Sequence, residues 1–196
     1  MWWYPAITPI VLASSSPRRR VILEQANIPF IQIPGDVNET WIEGSPESVV
    51  QYWARKKAEK VIGMVKGNPV LGVDTMVALG GELLGKPHDE GQASNMLGTL
   101  SGEWHSVFSG VCFLWPEKGI DLQFVEETRV KFRNLEPGEI KAYVSTGEPL
   151  DKAGAYGIQG YGSLLVERIE GCYFNVMGLP VSRLVHEIRG RLFDGK

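Results

Sequence analysis

The apolar run Ile10-Val11-Leu12-Ala13 breaks directly into Ser14-Ser15-Ser16-Pro17-Arg18-Arg19-Arg20, and no other junction constrains the chain as tightly. A short apolar run bounded by turn residues reads as a buried strand. Ser16 is a favoured helix N-cap, and Pro17 suits the first helical position, where its missing N–H would have had no partner. Val21, Ile22 and Ala26 then supply the inward side of a helix. The chain therefore opens as strand, turn and helix, with three arginines in the first helical turn. The helix dipole disfavours cations there. Cations placed beside free backbone N–H groups and the hydroxyls of Ser14 and Ser16 point to a partner with several negative charges, a phosphate chain above all. The competing reading is a solvated surface turn.

Strand and helix patterns go on alternating, which gives an α/β class. A polar extended connection covers residues 34–40, and a second helix opens with Ser45 as N-cap and runs to about Lys66. Residues 69–79 form a strand, Gly80-Gly81 a tight hairpin turn, and residues 82–84 a short return strand. Asp89 caps a helix with Ala93, Met96, Leu97 and Leu100 inward, ended by Gly102. Long β runs follow at 104–114 and 122–132, then a helix from Pro137 to Gly147. A glycine-rich segment at 154–162 precedes a strand at 164–169. A last helix from Pro180 places Val181, Leu184, Val185, Ile188 and Leu192 on one face. Two long adjacent β runs within this alternation require a mixed sheet. The expected architecture is a mixed twisted sheet flanked by helices, forming one domain over residues 1–196 with two lobes and a central cleft.

With 43% hydrophobic and 22% charged residues, the chain has the composition of a soluble globular protein. Its net charge of −3 argues against a general nucleic-acid binder, so the basic residues must be concentrated locally to serve a polyanion. Cys112 and Cys172 are too few for a disulfide scaffold and lack zinc spacing. Both read as small core residues within strand-like runs, in a reducing cytoplasm. The opening Met1-Trp2-Trp3-Tyr4-Pro5 lacks a basic region and a sustained apolar core, so a secretory signal is not expected, nor is a membrane partner.

Several polar residues interrupt apolar patterns. On the second helix Lys57 falls within the stripe Val50, Trp53, Ala54, Ala58, Val61, Ile62 and Val65. Either it snorkels over apolar surface or it meets an anionic partner. Asp74 lies within the buried run Val70 to Val77 and needs a donor, a cation or a metal. A structural pairing with a lysine competes with a role as metal ligand or general base. Thr75 points to the opposite sheet face or lies at the strand end; its hydroxyl reaches a ligand, or it is an ordinary strand residue. Lys86 sits on a stiff Gly-Lys-Pro turn and Glu39 in a polar connection, and neither is informative alone. Gln159 lies among glycines that permit close backbone approach. Its amide, with one acceptor and two donors, matches the edge of a uracil-like base; a flexible hairpin with an exposed glutamine is the alternative. His88, His105 and His186 have no metal-ligand spacing, and no P-loop or dinucleotide fingerprint occurs.

These pieces together resemble the Maf family of nucleoside triphosphate pyrophosphatases. The matching segments are Leu12-Ala13-Ser14-Ser15-Ser16-Pro17-Arg18-Arg19, Asp36-Val37-Asn38-Glu39, Ala54 to Ala58 around Lys57, Gly72-Val73-Asp74-Thr75, Gly85-Lys86-Pro87, Leu100-Ser101-Gly102, Glu148 to Gly160 and Gly178-Leu179-Pro180. They run in order from about residue 10 to the final helix. The resemblance implies an inosine triphosphatase-like fold, hydrolysis between the α and β phosphates with a divalent metal, Mg²⁺ or Mn²⁺, and a homodimer. It implies Asp74 as the catalytic acidic residue, Glu39, Lys57 and Lys86 as the rest of the catalytic cluster, and Arg18, Thr75 and Gln159 as specificity positions. The segment 151–160 resembles the branch acting on dTTP and UTP; the branch acting on 7-methyl-GTP typically carries an acid in place of this glutamine. On physical grounds Arg18, Arg19, Lys57 and Lys86 would neutralise the phosphates, while Glu39 and Asp74 would hold the metal. Two other readings stand beside this one: a non-enzymatic regulator of septum formation and cell division acting by binding, and removal of modified nucleotides by the same chemistry.

Overall fold

The computed structural model describes residues 9–40 and 42–194. The aromatic stretch at 1–5 lies outside the described residues. Strand β1 (Ile10–Leu12) is wholly buried and leads into helix α1 (Pro17–Gln25), with Ser16 in the N-cap position and Pro17 at its start. The hydroxyl of Ser16 makes no capping bond; its own N–H donates instead to Ser14 Oγ at 3.2 Å. The buried side of α1 is Arg19, Ile22 and Leu23, while Val21 and Ala26 are only half-buried. A strand without a sequence signal, β2 (Phe30–Gln32), pairs in parallel with β1; it is three residues long and half-exposed, so it shows no alternation.

Helix α2 (Pro46–Ile62) is capped by Ser45 and ends at Gly63, short of the expected Lys66. Strand β3 (Val70–Leu79) runs parallel to β1 and turns at Gly80-Gly81 into the antiparallel β4 (Glu82–Leu84), with Leu79 opposite Glu82. Both turn glycines have positive φ, 59° and 89°, as a two-residue hairpin requires. Then come α3 (Glu90–Leu100), with the Asp89 carboxylate accepting from the Gln92 N–H at 2.7 Å, β5 (Trp104–Trp115), β6 (Ile120–Phe132) and α4 (Pro137–Val144). The glycine-rich segment forms short 3₁₀ turns before β7 (Val166–Glu170), which pairs antiparallel with β6. A five-residue helix, α5 (Tyr173–Met177), escaped the sequence pattern, and α6 (Val181–Arg189) buries Val181, Leu184 and Ile188.

Among the described residues the strands form one mixed seven-stranded sheet in the order β2-β1-β3-β5-β6-β7, with β4 attached to β3. The chain divides into two compact units. The first holds residues up to Asp74 with Ser109–Glu126 and Gly178 onward; the second holds Thr75–Phe108 and Glu127–Met177. Strands β3, β5 and β6 each contribute residues to both. Each unit has its own apolar cluster: Val11, Ala13, Ala54, Ala58, Val61, Val70, Cys112 and Leu114 in the first, and a larger one in the second that includes Leu97, Leu100, Phe132 and Tyr156. Both cysteines are free. Cys112 is a core residue whose thiol is pushed up to about 12 by burial, whereas Cys172 is half-buried in the connection between β7 and α5, outside any strand. Among the described residues no helix is long and apolar enough to cross a membrane.

Candidate active site

In the first unit the chemistry is set by how closely α2 lies on the sheet. Ala54, Ala58 and Val61 form a helical stripe packed with Val70, and Lys57 falls inside that stripe, three residues after Ala54. On β3 the two-residue period puts Gly72 and Asp74 on the same face as Val70. A Cβ at Gly72 would collide with the Ala54 carbonyl and the Ala58 nitrogen, and one at Gly110 on β5 with the Val50 carbonyl. Helix backbone therefore rests on strand backbone, and the lysine is delivered to the aspartate. Lys57 Nζ donates to Asp74 Oδ1 at 2.6 Å and pairs with Glu39 Oε1 at 2.7 Å. The Lys57 and Asp74 side chains are 12% and 6% exposed, the Glu39 side chain 44%. The lysine thus resolves into an ion pair rather than a snorkelling stem. Asp74 Oδ2 is buried with no hydrogen-bond partner among the described residues.

The serine–arginine turn is organised around Ser14. Its hydroxyl oxygen accepts from Arg19 Nη1 at 2.8 Å and from the Ser16 N–H at 3.2 Å, and its carbonyl accepts from Gln32 Nε2 at 2.7 Å. Arg19 also donates from Nε to the Gly178 carbonyl at 2.9 Å. Burial lowers its guanidinium to about 10, opposed mainly by the charge of Asp74, so it stays cationic at neutral pH. The three arginines divide: Arg19 is buried and braces the turn, Arg18 is half-buried, and Arg20 is exposed and pairs with Glu24 at 3.5 Å. Ser14, Ser16, Arg19, Glu39, Lys57 and Asp74 all belong to this unit, as does Arg18.

Thr75, Lys86 and Gln159 belong to the second unit. Thr75 is half-buried in β3, Lys86 is exposed on the turn after β4, and Gln159 is half-buried in the glycine-rich segment. The Gly154 N–H donates to the Gly85 carbonyl at 3.0 Å, tying that segment to the Lys86 turn. Beneath it, Tyr156 OH lies 2.7 Å from His105 Nε2, and both rings meet Phe132 edge-on at 4.7 and 5.0 Å. Burial drops the His105 imidazole to about 4 and raises the Tyr156 phenol, so both are neutral at physiological pH. Sequence reasoning missed His105, whose only signal is a histidine at the start of an apolar β run. It also assigned no role to Glu148, whose carboxylate accepts backbone N–H bonds from Tyr161 and Gly162, each at 3.1 Å.

A divalent cation fits the carboxylates of the first unit. Asp74 Oδ2 is an orphaned buried acceptor, and Glu39 shares Lys57 with it, so two hard oxygen donors flank one ammonium. Among the described residues no group of three or more His, Cys, Asp and Glu side chains is placed to hold a metal. That set suits Mg²⁺ or Mn²⁺, which are held by one or two carboxylates and complete their shells with phosphate and water, rather than a dedicated metal centre.

A buried carboxylate, a paired lysine and a serine–arginine turn at a helix N-terminus, all on a mixed α/β sheet, make an arrangement whose charges and donors suit a phosphate chain next to a carboxylate. The chain matches the family described as Maf-like protein over residues 9–191, and it belongs to that family. It is similar to proteins named dTTP/UTP pyrophosphatase. One from Carboxydothermus hydrogenoformans is 47% identical over 92% of this chain and 97% of the relative; one from a Geobacillus species is 49% identical over 92% and 96%; one from Aquifex aeolicus is 46% identical over 92% and 94%.

Proposed function

We propose that this protein hydrolyses nucleoside triphosphates between the α and β phosphates, releasing the monophosphate and pyrophosphate, with dTTP and UTP as its substrates. The observation that carries the chemistry is the buried Lys57–Asp74 pair with one carboxylate oxygen left over. The Asp74 carboxylate orients the attacking water and takes its proton as the oxygen adds to the α phosphorus, and the bond from that phosphorus to the bridging β-phosphate oxygen breaks with departure of pyrophosphate. Lys57 holds Oδ1 and adds positive charge where phosphate charge develops. Arg18 and Lys86 contribute charge neutralisation, and Ser14, Ser16 and Arg19 form the anion-binding turn. Glu39 and Asp74 would hold Mg²⁺ or Mn²⁺, which would supply polarisation of the phosphoryl oxygens. Gln159 reads the base edge and Thr75 assists selection.

The pyrimidine assignment draws on the names of the relatives and on the Gln159 amide, which can both donate to and accept from a uracil or thymine edge. The protein is read as a cytoplasmic, single-domain enzyme acting as a homodimer without a nucleic-acid or membrane partner, in keeping with two free cysteines and a net charge of −3. A purely binding regulator has no use for a buried, half-paired carboxylate beside an anion-binding turn. Pyrophosphate release from dTTP, UTP, CTP, dATP and GTP with Mg²⁺ or Mn²⁺ tests the reading. Turnover concentrated on dTTP and UTP is expected. Release of orthophosphate instead, or no hydrolysis of any nucleotide, would overturn it.

A further inference from the structure

We infer that Glu148 is a positioning residue for base selection: without touching the nucleotide, its carboxylate folds residues 157–162 into the shape that presents Gln159. The inference rests on the reading of Gln159 as the base-contacting residue.

The geometry is a closed loop pinned at both ends. Glu148 Oε2 accepts from the Tyr161 N–H and Oε1 from the Gly162 N–H, each at 3.1 Å, and Tyr143 OH donates to Oε1 at 3.0 Å. Two successive backbone N–H groups converging on one carboxylate make the loop wrap an internal anion. Gly160, between Gln159 and those donors, takes φ +64°, and a Cβ there would stand 2.6 Å from Glu148 Oε2, so the backbone crosses directly over the carboxylate. At the other end the Gly157 N–H donates to Tyr143 OH at 3.4 Å, which places one tyrosine hydroxyl between the start of the loop and the carboxylate that holds its end. Lys152 closes the arrangement: Nζ donates to the Glu148 carbonyl at 2.6 Å, and its Cδ and Cε fill the space a Gly157 side chain would need. Gln159, half-buried, lies between these two anchors in sequence. Burial and the Glu148 charge both push the Tyr143 phenol up, so its hydroxyl keeps its proton and remains a donor.

A glutamine at position 148 would keep the shape but turn an NH₂ group toward a backbone N–H. The loop would lose at least one charge-assisted bond and Gln159 would lose its fixed position. The test measures kcat and KM of pyrophosphate release for UTP and CTP in Glu148→Gln, Gln159→Ala, the double variant and Tyr143→Phe. Glu148→Gln is expected to raise KM for UTP about 10-fold and to cut the UTP-over-CTP ratio of kcat/KM by a similar factor, the scale of one lost bond to a charged acceptor, with kcat little changed. In the Gln159→Ala background it should alter that ratio less than about 2-fold, because both residues act on one contact. Tyr143→Phe, which removes one donor and leaves the backbone clamp, should relax selectivity about 3-fold; it decides the matter if Glu148→Gln does not fold. Equal losses for UTP and CTP in either variant, or additive losses of selectivity in the double variant, would overturn the inference while Gln159 stands. Unchanged selectivity in Gln159→Ala alone would overturn the base-reading role and the inference with it.

Discussion

In the first unit the polar groups that matter are long charged side chains meeting across a helix–strand contact: Lys57 on α2, Asp74 on β3, Glu39 from the loop between β2 and α2, and Arg19 at the start of α1. In the second unit the contacts around Gln159 are mostly backbone N–H groups gathered by Glu148, over a core holding the neutral His105–Tyr156 pair. The contrast fits the two tasks proposed for these regions. On the proposed function, phosphate charge is neutralised by oppositely charged groups that only have to be near, so side chains suffice. Distinguishing one base edge from another demands donors and acceptors fixed in place, and that is a matter of backbone shape.

The comparison breaks first at Asp74. Asp74→Asn should lower kcat for dTTP and UTP at least ~10²-fold, the scale of a lost general base, while the far-UV circular dichroism stays that of the folded parent. Near-parental turnover in that folded variant would remove the carboxylate from the chemistry. Lys57→Met should cost about 3 kcal/mol of unfolding free energy in a urea titration, because it strands a buried carboxylate without its cation. A loss under about 1 kcal/mol would mean that Asp74 is far better solvated than its 5% exposure implies. The second unit should instead carry the acid sensitivity. His105 binds a proton near pH 4 in the folded chain and at its ordinary 6.5 when unfolded, so between those values the unfolded state holds the extra proton. Stability therefore falls as the pH drops through that window, by about 2 kcal/mol from pH 7 to pH 5. His105→Gln should flatten this part of the stability–pH curve, and an identical slope in both proteins would discount the buried imidazole. The smallest effect belongs to Glu39→Gln. Its side chain is 44% exposed, and it should change stability by less than about 1 kcal/mol despite sharing Lys57 with Asp74.

What the sequence disclosed divides along physical lines. The strand–Ser-Pro-Arg–helix opening, the Gly80-Gly81 hairpin and the Asp89 cap are local events, decided by residues within a few positions of each other, and all three stand in the fold. Lys57 and Asp74 were legible because each violates the apolar period of its own element. β2 and α5 were not, since three half-exposed residues and a single five-residue turn are too short to set up a period. Cys172 was misplaced because an apolar neighbourhood in sequence does not distinguish a strand from the connection that follows it. Glu148 stood in the sequence only as the first residue of a matching segment, with no role of its own. The role proposed for it comes from donors thirteen and fourteen residues away, in a loop whose closure no spacing rule announces.

One feature of the first unit reaches beyond the reaction. Where α2 touches Gly72 and Gly110, helix backbone rests directly on strand backbone, so the scaffold and the Lys57–Asp74 pair share the same backbone contact. Efforts to harden this enzyme against heat by replacing glycines with alanine would gain nothing at those two positions. Even a single added methyl group there would lift the helix and part the charges it carries from the carboxylate below.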